Sequence, residues 1–217
     1  MAPLALRLGI IFLAASVPGQ IVVDATGPAR DIARRPTSGN GGGIGRKLPL
    51  ALVIENRGTA PDREGKTEVD FILTNLGSAV LPIPASPSPA EFEPDDPKTA
   101  YTMTVLNLTM TIEQRHGGAG KETLLRGGAR LYGVRSLPAS LAMLGSGESI
   151  RVHALVTLPL HSNSETVGSL VAHADLSDET IRTVAGQTTA DSREIGSTDS
   201  QIYSVQYLIS GDRKPKN

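Results

Sequence analysis

Four histidines, His116, His153, His161 and His173, are the side chains of this 217-residue chain best suited to moving a proton or holding a metal. No two of them stand at i,i+2 or i,i+4, and no H-E-x-x-H occurs, so their spacing builds no zinc site. His153 faces out of an alternating strand, and His173 becomes its neighbour if their two strands pair. With a carboxylate nearby such a pair can hold a metal, whereas apart the two are solvated or capping imidazoles. Serines are plentiful but none sits in a G-x-S-x-G elbow. Gly145-Ser146-Gly147 stands before a strand, and the elbow requires a place between strand and helix. The Gly41–Lys47 tract (GGGIGRK) is followed by Leu48, so it lacks the G-K-[ST] ending of a phosphate loop, and it precedes a strand. The acid pairs Asp95-Asp96 and Asp178-Glu179 fall in expected loops without calcium-loop spacing. Asn107-Leu108-Thr109 fits a glycosylation sequon but lies inside an expected strand. The sequence therefore assigns no catalytic residue, no cofactor-binding residue and no metal ligand, and implies no cofactor.

The elements that would position such groups begin after residue 19. Arg7 closes a short positive start, Leu8–Val17 (LGIIFLAASV) is an apolar run, and Val17-Pro18-Gly19 supplies small residues before Gln20. This is the layout of a secretory signal peptide over residues 1–19, cut after Gly19. The apolar run is shorter than the roughly 20 residues a membrane span needs. Export to the periplasm or the exterior follows, with no membrane span once the leader is removed. The chain has no cysteine, so disulfides, thiolate metal sites and a Cys nucleophile are excluded, which leans toward a bacterial exported protein. A net charge of −1 and an aromatic content of 3% give neither the basic excess nor the stacking platform of a nucleic-acid binder.

Residues 20–47 read as a flexible Gly/Arg-rich linker, with Arg30, Arg34, Arg35, Arg46 and Lys47 flanking the glycine tract. From Leu48 the pattern becomes period 2. Leu48, Leu50, Leu52 and Ile54 share one strand face, as do Val69, Phe71 and Leu73 on the next strand. Leu81-Pro82-Ile83-Pro84 is confined to a sheet edge by its prolines, and 85–100 reads as an exposed loop. In Tyr101–Gln114 the phase slips: Tyr101, Met103 and Val105 fall on one face, Leu106, Leu108 and Met110 on the other. A bulge near Val105–Asn107, or a strand bending between sheets, accounts for that slip. Leu137, Leu141 and Leu144 space a short helix opened by Pro138. Ile150, Val152, Ala154 and Val156 point inward on the cleanest strand, with Arg151 and His153 pointing out. Val167–Leu176 and Thr180–Ala185 read as strands paired around Ser177-Asp178-Glu179, 186–200 as a long polar loop, 203–209 as a last strand and 210–217 as a disordered tail. The sum is an all-β chain, expected as an antiparallel two-sheet sandwich over 48–209 with Gly/Pro-rich loops. Residues 160–209 read either as part of that sandwich or as an elaboration of it.

Two stretches carry a resemblance. Lys66–Pro84 (KTEVDFILTNLGSAVLPIP) is a strand, an Asn-x-Gly turn and a Pro-interrupted edge, and Leu144–Pro159 (LGSGESIRVHALVTLP) is a Gly-rich turn, Glu-Ser and a strand. Together they resemble bacterial immunoglobulin-like domains of the cell-adhesion and intracellular proteinase-inhibitor types. The resemblance covers Leu48 to about Pro159 and implies an immunoglobulin-like fold and an interaction role. Three expectations follow. The first is an exported, non-enzymatic protein binding a protein or an envelope polymer. The second is a proteinase inhibitor presenting 85–100 or 186–200. The third is a hydrolase with dispersed residues, which requires a nucleophile beside His153, His161 or His173.

Overall fold

The computed structural model describes residues 19–27, 36–37, 46–56, 64–92, 100–115, 121–157, 165–201 and 203–208. The expected signal peptide (apart from Gly19), most of the glycine tract, His116, His161, Asp95-Asp96 and the tail lie outside them.

Among the described residues twelve strands carry the fold: β1 (Gln20–Ala25), β2 (Pro36–Thr37), β3 (Leu50–Asn56), β4 (Lys66–Asn75), β5 (Leu81–Pro84), β6 (Tyr101–Arg115), β7 (Lys121–Gly133), β8 (Leu141–Leu144), β9 (Ser149–Thr157), β10 (Glu165–Val184), β11 (Gln187–Asp199) and β12 (Tyr203–Leu208). No α-helix occurs among the described residues. Ten strands form one sheet along the path β2-β11-β10-β6-β7-β9-β4-β3, with β1 added to β9 and β12 to β10, while β5 and β8 form a two-stranded sheet of their own. Pairing is antiparallel except for β1 on β9 and β2 on β11.

The large sheet curls like a half-barrel. Its two halves join where β7 meets β9 at Gly127↔Val156. At the far side β3 and the residues before it come back against β11 and the residue after it through parallel bridges Lys47↔Ser197 and Leu52↔Ser200. That seam is hydrogen-bonded: the Leu48 N–H donates to Ser197 O at 2.9 Å, the Ser197 N–H to Arg46 O at 3.0 Å, and Thr198 Oγ1 to Leu50 O at 2.9 Å. Gly196 makes the approach possible, because a Cβ there would run into the Arg46 carbonyl oxygen and the Leu48 side chain.

The inward faces are those the alternation marked. Leu48, Leu50, Leu52 and Ile54, with Val69, Phe71 and Leu73 and with Ile150, Val152, Ala154 and Val156, are all buried in the main core. Leu106, Leu108 and Met110 of β6 and Ala172, Ala174 and Leu176 of β10 complete it, and Ile83 and Leu144 of the small sheet add to it. The edge role of Leu81–Pro84 is kept, since among the described residues β5 pairs with β8 alone, and the two prolines cost no further ladder there.

The phase slip in β6 has a different cause from the bulge or bend expected. Its register against β10 runs unbroken from Tyr101↔Ile181 to Gln114↔Gly168, and the shift against β7 comes later, between Thr109 and Thr111. Val105 and Leu106 are adjacent, both at 0% exposure, and point to opposite sides of one regular strand. Leu106 enters the main core, whereas Val105 and Met103 join Tyr132, Ile181 and Ala190 in a second cluster on the convex face. The strand is apolar on alternating faces because each half of it serves a different core.

Four further expectations are corrected. Gln20–Ala25, expected within the linker, is a strand on β9, with Val23 and Ala25 buried. The stretch opened by Pro138 makes only a 3-10 turn, Pro138–Ser140, before Leu141–Leu144 becomes β8. β10 runs straight through Ser177-Asp178-Glu179 for 20 residues, so that acid pair lies on a strand. Residues 187–199, expected as a loop, are β11, which pairs with β10 around the two-residue turn Ala185-Gly186. Both turn residues have positive φ, 51° and 79°, as a type I′ hairpin demands. β11 hid in the sequence because few of its positions face a core: only Ala190, Gly196 and Thr198 are buried.

Candidate functional site

The two turns singled out in the sequence come together. Asn75, at 0% exposure, ends β4 and acts as a hub. Its Nδ2 donates to Ala79 O at 2.8 Å and to Leu144 O at 2.9 Å, and its Oδ1 accepts from the Gly77 N–H at 2.8 Å. Its backbone N–H donates to Glu148 O at 3.0 Å, and its carbonyl accepts from Gly147 N–H at 2.8 Å. Across the turn, Glu148 Oε2 accepts from the Gly145 N–H at 2.7 Å. These contacts are architectural, because every polar group of Asn75 is spent on backbone.

A charged cluster sits on the outer face of β3, β4, β9 and β1. Registers place Glu55, Asp70, His153 and Asp24 in one row across four strands. The Asp70 side chain is 2% exposed although it points away from the core. Its Oδ2 accepts from Arg151 Nη1 at 2.6 Å and its Oδ1 contacts His153 Nδ1 at 2.8 Å. Arg151 Nη1 also donates to Glu55 Oε2 at 2.9 Å, and Arg151 Nε to Gln20 Oε1 at 3.3 Å. The hydrogen bond to Asp70, then that to Glu55, raises the pKa of the Arg151 guanidinium above its ordinary value. His153 Nε2 lies 3.3 Å from Glu68 Oε2. A carboxylate only accepts, so Nδ1 carries a hydrogen toward Asp70, and the Glu68 contact is attractive when Nε2 carries one too.

Both ring nitrogens of His153 therefore face carboxylates. An imidazole held in this way is a cross-strand clamp and has no nitrogen aimed at a nucleophile. His173 makes a single side-chain pair, Nδ1 to Asp199 Oδ1 at 2.7 Å, at the surface. Its strand β10 pairs with β6, β11 and β12, not with β9, so His153 and His173 are not brought together as the two-histidine metal reading required. Among the described residues no group of three or more His, Asp or Glu side chains is placed to hold a metal ion. Sequence reading missed this cluster by treating outward residues as solvated. The signal was present in Glu68-x-Asp70 and Arg151-x-His153, same-face pairs of complementary charge on two strands that adjoin.

Of the acid pair in β10, Asp178 accepts from Thr104 Oγ1 at 2.9 Å, and Glu179 pairs with Arg130, whose guanidinium lies 5.4 Å from the Tyr132 ring centre. A cleft of about 410 Å³ beside Asp178 is lined by Thr102, Thr104, Val134, Arg135 and Ser136. Another of about 610 Å³ follows the seam past Leu48, Leu52, Leu76 and Thr198. Neither is lined by a histidine. Loop 85–100 is anchored at its start, where Ser86 and Tyr132 exchange backbone hydrogen bonds, and residues 93–99 lie outside those described. The other loop expected for an inhibitor, 186–200, is almost wholly β11, so its backbone is committed to the ladder.

No family model and no curated protein matches the chain. Among solved structures, a Bordetella pertussis protein provisionally named ApaA is similar over 71% of this chain and 96% of that one, at 13% identity. The TM-score is 0.27, and that likeness carries no argument about fold family or activity.

Proposed function

We propose that this is an exported, non-catalytic β protein with a binding or structural role at a bacterial envelope. The observation that carries the reading is the His153 clamp, which spends the buried Asp70 carboxylate and its partners on holding β4 to β9. The layout of residues 1–19 and the absence of cysteine support export. The immunoglobulin-like relation belongs to the same proposal, supported by the packing of the Asn75 turn against the Gly145–Ser149 turn. The test is affinity capture from native envelope extract, run beside an ester, peptide and glycoside turnover library. A retained envelope protein or polymer with no turnover is expected. Turnover without any retained partner refutes the reading.

A further inference from the structure

Gln20 stands at an unusual junction. It is the first residue of β1, it is exposed, and it follows the expected signal cut. Gly19 before it is exposed as well. The carboxamide of Gln20 is held at the cluster's rim. Its Oε1 accepts from Arg151 Nε at 3.3 Å, and its Nε2 donates to Ser149 Oγ at 3.4 Å.

We propose that Gln20, once freed as the mature N-terminus, closes on itself to form a pyroglutamyl lactam, assisted by Arg151. The inference rests on the export reading above. The α-amino nitrogen, partly uncharged near neutral pH, attacks its own side-chain Cδ. A C–N bond forms, the Cδ–Nε2 bond breaks, and Nε2 leaves as ammonia after taking up the proton that the amine gives up. No oxidant or co-reactant is needed. Arg151 Nε–H, on Oε1, draws electron density from Cδ and stabilises the oxyanion of the tetrahedral intermediate. Oε1 survives as the lactam oxygen. The mature end of β1 is then neutral and closed to aminopeptidases.

The full chain, expressed with its leader and recovered from the exported fraction, is followed over time by intact mass and amine labelling. The expected product is the chain from Gln20 lighter by one ammonia and inert to amine reagents. Gln20→Glu gives the same start with an amine that stays reactive. Arg151→Lys, which keeps the charge beside Asp70, slows closure about tenfold, the worth of one hydrogen bond. A chain from Gln20 whose amine stays free overturns the lactam and leaves export standing. A chain that retains Met1 or starts elsewhere overturns both. An unchanged rate in Arg151→Lys overturns the part given to Arg151.

Discussion

Replacing Asn75 by alanine should cost about 3 kcal/mol. The side chain makes three hydrogen bonds, to Ala79 O, to Leu144 O and from Gly77 N–H. Water can replace the amide at Ala79, which is exposed, and in part at Gly77, so these two bonds cost roughly 0.5 kcal/mol each. Leu144 is at 0% exposure, and its stranded carbonyl adds roughly 1–3 kcal/mol of desolvation left unrepaid. For a chain of this size about 3 kcal/mol lowers Tm by roughly 6–12 °C. Asn75→Asp is the sharper variant, because it keeps the acceptor for Gly77 and turns the donor into a second acceptor between two carbonyl oxygens. Ionisation is disfavoured there, so the folded pKa of the new carboxyl rises above its unfolded value of about 3.9. A raised folded pKa gives a contribution fully present below the unfolded pKa and lost as pH rises through the folded one. The aspartate variant should therefore be less stable than the alanine variant at pH 7 and recover toward pH 4. Urea titrations at both pH values measure this. An alanine variant within about 1 kcal/mol of the parent, or an aspartate variant indifferent to pH, refutes the hub.

Ala185→Asn should raise stability by roughly 0.5–1 kcal/mol, since Ala185 holds φ 51° where Asn-Gly suits a type I′ turn; thermal melts showing no gain or a loss would contradict that turn. Asp70→Ala should cost roughly 2–3 kcal/mol, below the value of a fully buried pair because Arg151 keeps 23% exposure. Glu55→Gln, at a side chain 49% exposed, should cost under about 1 kcal/mol. Equal losses in denaturant titrations of the two would disprove the ranking. Gly196→Ala should cost roughly 1–3 kcal/mol by forcing Arg46 and Leu48 off β11, and amide exchange should rise at Leu48 and Ser197. A variant with parental exchange at both amides would show that the seam does not depend on this close approach.

Alternation revealed nearly every inward residue of β3, β4 and β9, because one face of each is mainly apolar and the other carries its charges, and period 2 is then written without ambiguity. It failed where that condition fails. In β6 Val105 and Leu106 are both buried against different clusters, so the apolar phase changes while the backbone stays regular. In β11 almost nothing is buried, so a strand thirteen residues long has the composition of a loop. Gln20–Ala25 was hidden by its neighbours: its two buried side chains, Val23 and Ala25, are small and sit between a leader and a glycine tract. The Asp70 cluster was unreadable for another reason. Charge complementarity between Glu68-x-Asp70 and Arg151-x-His153 acquires meaning only when β4 is known to lie beside β9.

The same limit separates a sandwich from a curled sheet. Both architectures put alternate residues inside and leave the others outside, so the apolar pattern from Leu48 to Thr157 fits either. What distinguishes them is which strand edges meet, and that is decided at two places with almost no hydrophobic signature. One is Gly127, where β7 touches β9 by a single pair. The other is the seam, where Arg46 and Leu48 reach β11 across Gly196. Small residues let backbones approach closely, and close approach lets a sheet turn back upon itself. A change at Gly196 therefore perturbs the curl while leaving the alternating faces intact, and the exchange of Leu48 and Ser197 reads that difference without disturbing the core residues around Phe71.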